Sequence, residues 1–569
     1  VPPRKFSLAF LQAFKMAKKS GSPTRQSNQQ KSNESIVTYR WLPWALAAAT
    51  FLLFSIGFRN EFLSMDDHSA TVNNPAVTNF ELFTNFNLGM YAPVTWLGYS
   101  IAYTIGGESS VWFHVVSALV HSINVFLVFR LFQLLGNTAF VSMLVAFFFA
   151  VHPIQVEPVA WIAGFSTPLF SLFSLLSMIY YVQHSKDEKW GMNYAMALLM
   201  FVLACLSKSA AVVLPVVFLA LDWWMKRGFT KFTISEKVPF FILSLGFGLL
   251  TLVSRQHAGQ LDQPADFSLL DRTLMASHTI VFYWQKILLP IGLSIWYPFE
   301  KTNGMWHWTY YIAPAFLLAV LFGAWRVRNT MPFLWFGVLF YLANVFLSLP
   351  WATFGSFELR SDRYNYLASL GLFFILASLP AYFAVKKPTW KGPTQVLLVI
   401  LAVFWLFGAF ARIPAWKNTT TLIENAMKAQ GDNFGKAYLW RGMILADDGK
   451  ADDALKDFNK AIERNPLLVE VYKYRGNIMG LRKNYSQSVA DLTKYIEHFP
   501  EAAPEIYNRG LSYVNLGNDS LAMLDFTRCL QIDESFVRAY RARGNTYLKL
   551  GETEKGQADL KRYEEMKPQ

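Results

Sequence analysis

Directly after the first long apolar segment, the stretch EFLSMDDHSATVNNP sets Asp66 and Asp67 side by side. Two adjacent carboxylates repel each other, and the repulsion raises the pKa of one of them, which suits a general base. The competing reading of Ser-Met-Asp-Asp is a loop that uses Asp for turns and helix capping. Other ionisable residues stand at the ends of apolar runs: His152 and Glu157 in VHPIQVEPVAW, Lys208 in LSKSA, and Glu358, Arg360, Asp362 and Arg363 in FELRSDRYNYLASLG. Such residues are costly beside a bilayer and default to functional candidates. Carboxylates facing cations suit transfer from an anionic lipid donor. An Asp takes the proton of an acceptor hydroxyl, and Arg or Lys holds the phosphate leaving group, Arg with bidentate geometry. A divalent metal, Mg or Mn, held by Asp66 and Asp67 stays open, because no closed ligand set is visible. His114 and His121, seven apart on one helical face of WFHVVSALVHSIN, read as hydrogen-bonded packing.

These residues need a membrane framework. Of the 569 residues 53% are hydrophobic and 17% aromatic, and apolar runs near the length of a membrane helix recur from Trp41 to about Arg412. About eleven spans are expected, centred near residues 50, 122, 145, 174, 200, 216, 245, 317, 340, 375 and 403. Residues 271–290 are expected to lie at the outer surface rather than to cross. The formal charge of +13 is uneven: residues 1–40 carry eight Lys/Arg against Glu34 alone, whereas the region from Lys436 onward has 21 basic and 20 acidic residues. Basic residues on the membrane side argue for anionic lipid and against general nucleic-acid binding. The basic clusters (the N-terminal tail, Arg130, Lys186 with Lys189, Lys226 to Lys231, Arg326 with Arg328, and Lys386 to Lys391) fall in alternate connections, and the positive-inside rule makes these cytoplasmic. The acidic pair and everything after Arg412 then face the outside. Phe6, Phe10 and Phe14 among lysines suit an amphipathic helix on the inner leaflet or a disordered basic tail. Two cysteines, Cys205 and Cys529, exclude a disulfide framework or a cysteine zinc site.

The C-terminal part repeats. Gly442, Gly476, Gly510 and Gly544 recur every 34 residues within YLWRG, YKYRG, IYNRG and AYRARG, the period of a tetratricopeptide solenoid. Ala454, Phe458, Ala461 and Pro466 fill the second helix of the first repeat, and Ala522, Phe526 and Cys529 that of the third. Such a solenoid offers a concave surface for an extended peptide or protein partner, or serves as a spacer.

Taken in order, several stretches resemble the transmembrane and tetratricopeptide-repeat O-mannosyltransferases (TMTC type) and their bacterial relatives, within the GT-C glycosyltransferase superfamily. They are the Asp66–Asp67 pair with NNP, YAPVTWLGYSIAY, FHVVSALVHSIN, HPIQVEPVAWIAG, LSKSAAVVLPVVFLALDWW, LLPIGLSIWYP, SDRYNYLASLG and AWKNTTTLIENAMKA. The resemblance implies an all-α chain with a cytoplasmic basic tail (1–40), a GT-C-like membrane domain (41–412), a linker helix (413–435) and four repeats (436–569). It implies a polyprenyl-phosphate sugar donor, an inverting transfer, a protein acceptor (a Ser/Thr hydroxyl) and repeats on the active-site side, periplasmic or lumenal. One of Asp66 and Asp67 would be the general base or a metal-facing acid. Arg363, Lys208 and Arg360 would contact the donor phosphate, and His152, Glu157, Asp362, Tyr366, His114 and Tyr91 would line the cavity. The chain departs from the pattern at Ala92, where relatives carry Arg, at Gly164 to Leu169, where they carry a basic residue followed by Asp, at Ser209 for Pro and at Asp362 for Glu. The first two departures leave open a catalytically silent membrane scaffold whose repeats recruit partners.

Overall fold

Apolar runs punctuated by Pro, Gly and basic residues become helices, and the punctuation sets their ends. The computed structural model describes residues 41–567 except 84–85, 87–88, 258–266, 300, 303, 352–358 and 432–434. The basic tail with Phe6, Phe10 and Phe14, and Glu358, lie outside the described residues. The chain is all-α apart from two two-stranded ribbons, β1 (Tyr297–Pro298) with β4 (Leu359–Arg360) and β2 (Lys301–Thr302) with β3 (Met305–Trp306), both antiparallel. It divides into two compact units.

The first unit comprises Val1–Pro290, Lys301–Phe357 and Asp362–Pro414. Its helices are α1 (Leu42–Phe54), α2 (Asp67–Ala70), α3 (Pro75–Thr78), α4 (Pro93–Gly106), α5 (Ser110–Leu134), α6 (Ala139–Val151), α7 (Val156–Ala160), α8 (Ser166–Asp187), α9 (Met192–Ser207), α10 (Leu214–Trp224), α11 (Lys231–Ser235), α12 (Val238–His257), α13 (Leu269–Leu288), α14 (Trp308–Arg326), α15 (Pro332–Val345), α16 (Ser369–Lys386) and α17 (Lys391–Arg412). Helix α5 is central, packed on α1, α4, α6 and α8. Pro153 and Pro158 forbid a straight continuation of α6, and the chain bends by 55° into the segment that carries Glu157. Helices α15 and α16 touch through Gly337 and Gly371, where an added Cβ would lie 2.4 and 2.2 Å from the facing carbonyl oxygen, so only glycine permits this approach.

Among the described residues six helices are long and apolar enough to cross a membrane, and the bent α6–α7 pair would make a seventh. Four shorter apolar helical stretches (Leu42–Gly57, Met192–Ser207, Ser209–Trp224 and Pro332–Ser348) occupy the other four expected positions. Of the apolar window in Ile162–Asp187, 78% is buried, but only 17% in Lys231–His257 and in Trp308–Arg326. Helices apolar all round yet so little covered leave Leu245, Leu318 and their neighbours exposed, which suits a lipid solvent and not water. Helix α13, expected at the surface, is not among the six; one of its faces is buried and Leu269 and Leu270 are exposed.

The second unit gathers Ile291–Glu300, Glu358–Ser361 and Ala415–Gln569. After α18 (Thr419–Gln430) come four helix pairs: α19 (Gly435–Asp447) and α20 (Ala451–Arg464), α21 (Glu470–Leu481) and α22 (Tyr485–His498), α23 (Ala503–Asn515) and α24 (Asp519–Ile532), α25 (Val537–Lys549) and α26 (Thr553–Met566). The periodic glycine lets the paired helices close: a Cβ on Gly442 or Gly510 would stand 2.6 or 2.7 Å from the ring of Phe458 or Phe526. The arginine before each glycine makes the same bidentate bond. Arg441, Arg475, Arg509 and Arg543 each donate through Nε and Nη2 to the aspartate sixteen residues on, Asp457, Asp491, Asp525 or Asp559, at 2.6–2.9 Å. Arg475 and Arg509 also reach back to Asn459 and Thr493 of the preceding repeat, at 2.7 and 3.1 Å. The ladder therefore ties each repeat internally and to its neighbour.

Candidate active site

The two adjacent aspartates have opposite environments. Asp67 opens α2 and is 1% exposed; its Oδ2 accepts from Leu63 N at 2.8 Å and its Oδ1 from Ala163 N at 2.8 Å. It thus pins the first long connection to the segment before α8. Burial pushes its pKa up to about 7, the two backbone donors oppose this, and the Asp66 charge adds to it. Asp66 is half-buried, and among the described residues its carboxylate accepts no hydrogen bond. Burial raises its pKa and the charge of Arg363 opposes the rise, so the acid of the first connection stands within electrostatic reach of the cation that precedes α16.

Arg363 is held from several sides. Its Nη1 donates to Glu157 Oε1 at 2.7 Å, and its guanidinium lies 4.9 Å from the Trp161 ring centroid and 5.1 Å from that of Tyr364. Glu157 is fully buried, and its Oε2 accepts from Asp362 N at 3.1 Å. Asp362, also fully buried, accepts from Arg412 Nη2 at 2.8 Å. The chain of contacts Arg412–Asp362–Glu157–Arg363 spends each buried carboxylate on a partner and leaves the Arg363 side chain 22% exposed. Lys208, in the break between α9 and α10, donates from Nζ to Thr167 Oγ1 at 2.7 Å. Burial and then the Arg363 charge bring its pKa down to about 7, with Glu157 opposing.

The structure therefore gathers Asp66, Asp67, Glu157, Lys208, Asp362 and Arg363 within one unit. The other expected residues are placed differently. His152 is fully buried, bonded from Nε2 to Ile287 O at 2.8 Å and accepting at Nδ1 from Ile154 N at 3.1 Å, so both ring nitrogens serve the bend after α6. Tyr366 is fully buried, its hydroxyl 2.7 Å from His121 Nδ1 and accepting from Asn124 Nδ2 at 3.1 Å. His114 bonds Asn60 O at 3.2 Å and borders a small void with Phe54, Gly57, Ala118, Val159 and Ala160. Tyr91 is half-buried beside Phe86. Arg360 is a residue of the second unit, where its guanidinium donates to Pro298 O at 3.0 Å and stacks over Phe299 at 4.7 Å. Among the described residues no group of three or more His, Cys, Asp and Glu side chains converges as a metal site. Sequence reading missed Thr167, Trp161, Tyr364 and Arg412. Only Arg412, the lone charge closing the last apolar run, carried a sequence signal.

Fold and site together describe an α-helical membrane protein with a cation–carboxylate cluster in one unit and a tetratricopeptide solenoid in the other. A tetratricopeptide-repeat family model matches residues 435–466 and 506–536. The chain is homologous to proteins named protein O-mannosyl-transferase of the TMTC type. It is 23% identical over 437 residues to the Caenorhabditis elegans protein O-mannosyl-transferase F38B6.6, covering 70% of this chain and 59% of that one. Human TMTC4 is 29% identical over 27% of this chain and 24% of its own length, and mouse TMTC2 31% identical over 18% and 12%. The chain thus spans less than two thirds of the length of these curated relatives. Among solved structures, a MamA crystal structure matches 26% of this chain and 80% of its own at 22% identity, with a TM-score of 0.25.

Proposed function

We propose that the chain is an inverting membrane glycosyltransferase that moves a sugar, mannose by analogy with the names of its relatives, from a polyprenyl-phosphate donor to a Ser/Thr hydroxyl of a protein acceptor. The repeats present the acceptor on the extracytoplasmic face. One observation carries this reading: Asp66 has an uncommitted carboxylate within electrostatic reach of Arg363, while each oxygen of Asp67 beside it accepts from a backbone N–H. Asp66 takes the proton from the acceptor hydroxyl as its oxygen bonds to the sugar C1. The bond from C1 to the phosphate oxygen breaks, and the lipid phosphate leaves with the electron pair. Arg363 and Lys208 hold the charge that develops on it. Glu157 and Asp362 position Arg363, and Asp67 positions Asp66. A divalent ion, if the reaction uses one, would be faced by Asp66.

A second reading, a silent scaffold, is favoured by Ala92, which is 1% exposed in an apolar cluster with Trp96 and Phe165 and stands where the resemblance implies Arg. The two readings part in one assay. Purified full chain is given polyprenyl-phosphate mannose and a Ser/Thr-rich acceptor. The enzyme reading expects transfer, lowered at least roughly a hundredfold in Asp66→Asn with folding intact. No transfer by the wild type, together with full cellular function of the Asp66→Asn/Asp67→Asn double variant, would establish the scaffold.

A further inference from the structure

A second set of buried charges lies at the far end of α8 from the Lys208–Thr167 contact, about 25 Å along the helix at about 1.5 Å per residue. Arg227 donates from Nη1 to Asp222 Oδ1 (2.9 Å) and Glu236 Oε1 (2.7 Å), and from Nη2 to Glu236 Oε2 (3.2 Å). Lys237 pairs with Asp222 and with Glu236 Oε1 (3.1 Å), His184 Nε2 lies 2.9 Å from Glu236 Oε2, and the Tyr181 hydroxyl is 2.8 Å from Asp222 Oδ1 and 2.9 Å from Glu236 Oε1. Two acids thus meet Arg227 and Lys237, and the network ties α8 and α10 to the junction of α11 and α12.

This network is the base of a projecting loop. Helix α10 ends with Arg227 N bonded to Asp222 O (2.9 Å) and Lys226 N to Trp223 O (3.2 Å), the paired bonds of a Schellman stop. The residue that must turn left-handed there is Lys226, with φ 59°, a conformation that glycine adopts without strain. Thr230 caps α11 through a reciprocal box with Thr233. Both ends of the loop are therefore fixed. Between them Phe229 is 89% exposed, flanked by exposed Lys226 and Lys231. Exposed Trp190 meets Phe232 of α11 edge-on at 5.6 Å, with exposed Lys189 next to it in the chain. An exposed aromatic tip between lysines, anchored at both ends by these bonds, fits a surface that is apolar below and anionic above.

We infer that the Lys226–Lys231 loop docks on anionic phospholipid, with Lys226 and Lys231 on headgroup phosphates and Phe229 in the acyl boundary. The test uses the full chain in neutral detergent micelles, titrated with short-chain phosphatidylglycerol, phosphatidylcholine or inorganic phosphate and read by native mass spectrometry and by the thermal midpoint. Saturable phosphatidylglycerol binding is expected, weakened about fivefold by each lysine substitution and roughly twenty-five-fold in Lys226→Gln/Lys231→Gln. Phe229→Ser weakens it at every salt concentration, whereas the lysine effect fades in high salt. An unchanged midpoint without lipid shows that a variant is folded; if the double variant is not, Lys231→Gln and Phe229→Ser carry the test. Equal affinity of variant and wild type, equal binding of phosphatidylcholine, or full competition by inorganic phosphate would each overturn the inference.

Discussion

At the scale of single residues, two aspartates one bond apart in the chain are chemically distinct because their hydrogen-bond partners differ. Asp67→Asn replaces one acceptor oxygen by an amide and leaves Leu63 N or Ala163 N unpaired in a buried place, so a loss of about 1–3 kcal/mol in denaturant unfolding is expected. Its pH signature is specific. The folded-state pKa is raised to about 7, so the stability this group contributes is fully present below pH 4 and is lost as pH rises through 7. The stability difference between wild type and Asp67→Asn should shrink over that window; a difference independent of pH would refute the assignment. Lys208, with its pKa lowered to about 7, loses its charge above neutrality. If it holds the donor phosphate, the KM for donor rises above pH 7 in the wild type and stays flat in Lys208→Arg, because guanidinium remains protonated.

At the scale of elements, the candidate site depends on breaks rather than on continuous helices. Pro153 and Pro158 bend the chain so that buried Glu157 meets the turn before α16, and Arg412 at the end of α17 satisfies the Asp362 carboxylate behind it. Arg412→Met leaves buried Asp362 short of this partner. It should lower kcat more than it raises the KM for donor, because it acts through the placement of Arg363; an effect on KM alone would show that Arg412 contributes to binding only. In the solenoid, Asp491 is nearly buried against Arg475. Asp491→Ala breaks a bidentate charged pair and should cost about 2 kcal/mol in unfolding of the repeats. Asp453→Ala, whose partner Lys456 is exposed, should cost almost nothing. Similar losses in both would mean that the ladder contributes no more than ordinary surface charge.

At the scale of the whole molecule, the alternation of basic connections predicts that residue 228 and residue 481 face opposite sides of the membrane, five expected spans lying between them. Both positions are exposed, a Cβ on Gly228 would meet nothing within 4 Å, and native Cys205 and Cys529 are buried, so background labelling is low. Gly228→Cys and Leu481→Cys should therefore react with an impermeant maleimide from opposite faces of sealed vesicles. Labelling of both from one side would reverse the acceptor face and remove the repeats from the acidic site's compartment.

What the sequence determined by itself is what local period and composition encode. Apolar runs specify the helices of the membrane domain, and Arg-Gly every 34 residues specifies the solenoid, because each helix carries its burial pattern in its own spacing. The Asp66–Asp67 pair, Lys208 and Arg363 were visible as charges out of place beside apolar segments. Which of them remain available was decided only by tertiary structure. His152 and Tyr366 look alike available in sequence, yet packing turns both inward, where backbone groups hold His152 and the His121 ring and Asn124 amide hold Tyr366. The Asp222–Glu236–Arg227–Lys237 network was illegible for the same reason: one charge lies on α10 and three in the connections on either side of α11, and only folding brings them close enough to pair. Asp66 differs from Asp67 because one backbone N–H from residue 163 and one from residue 63 reach the second carboxylate and not the first, a distinction that exists only once the chain has closed.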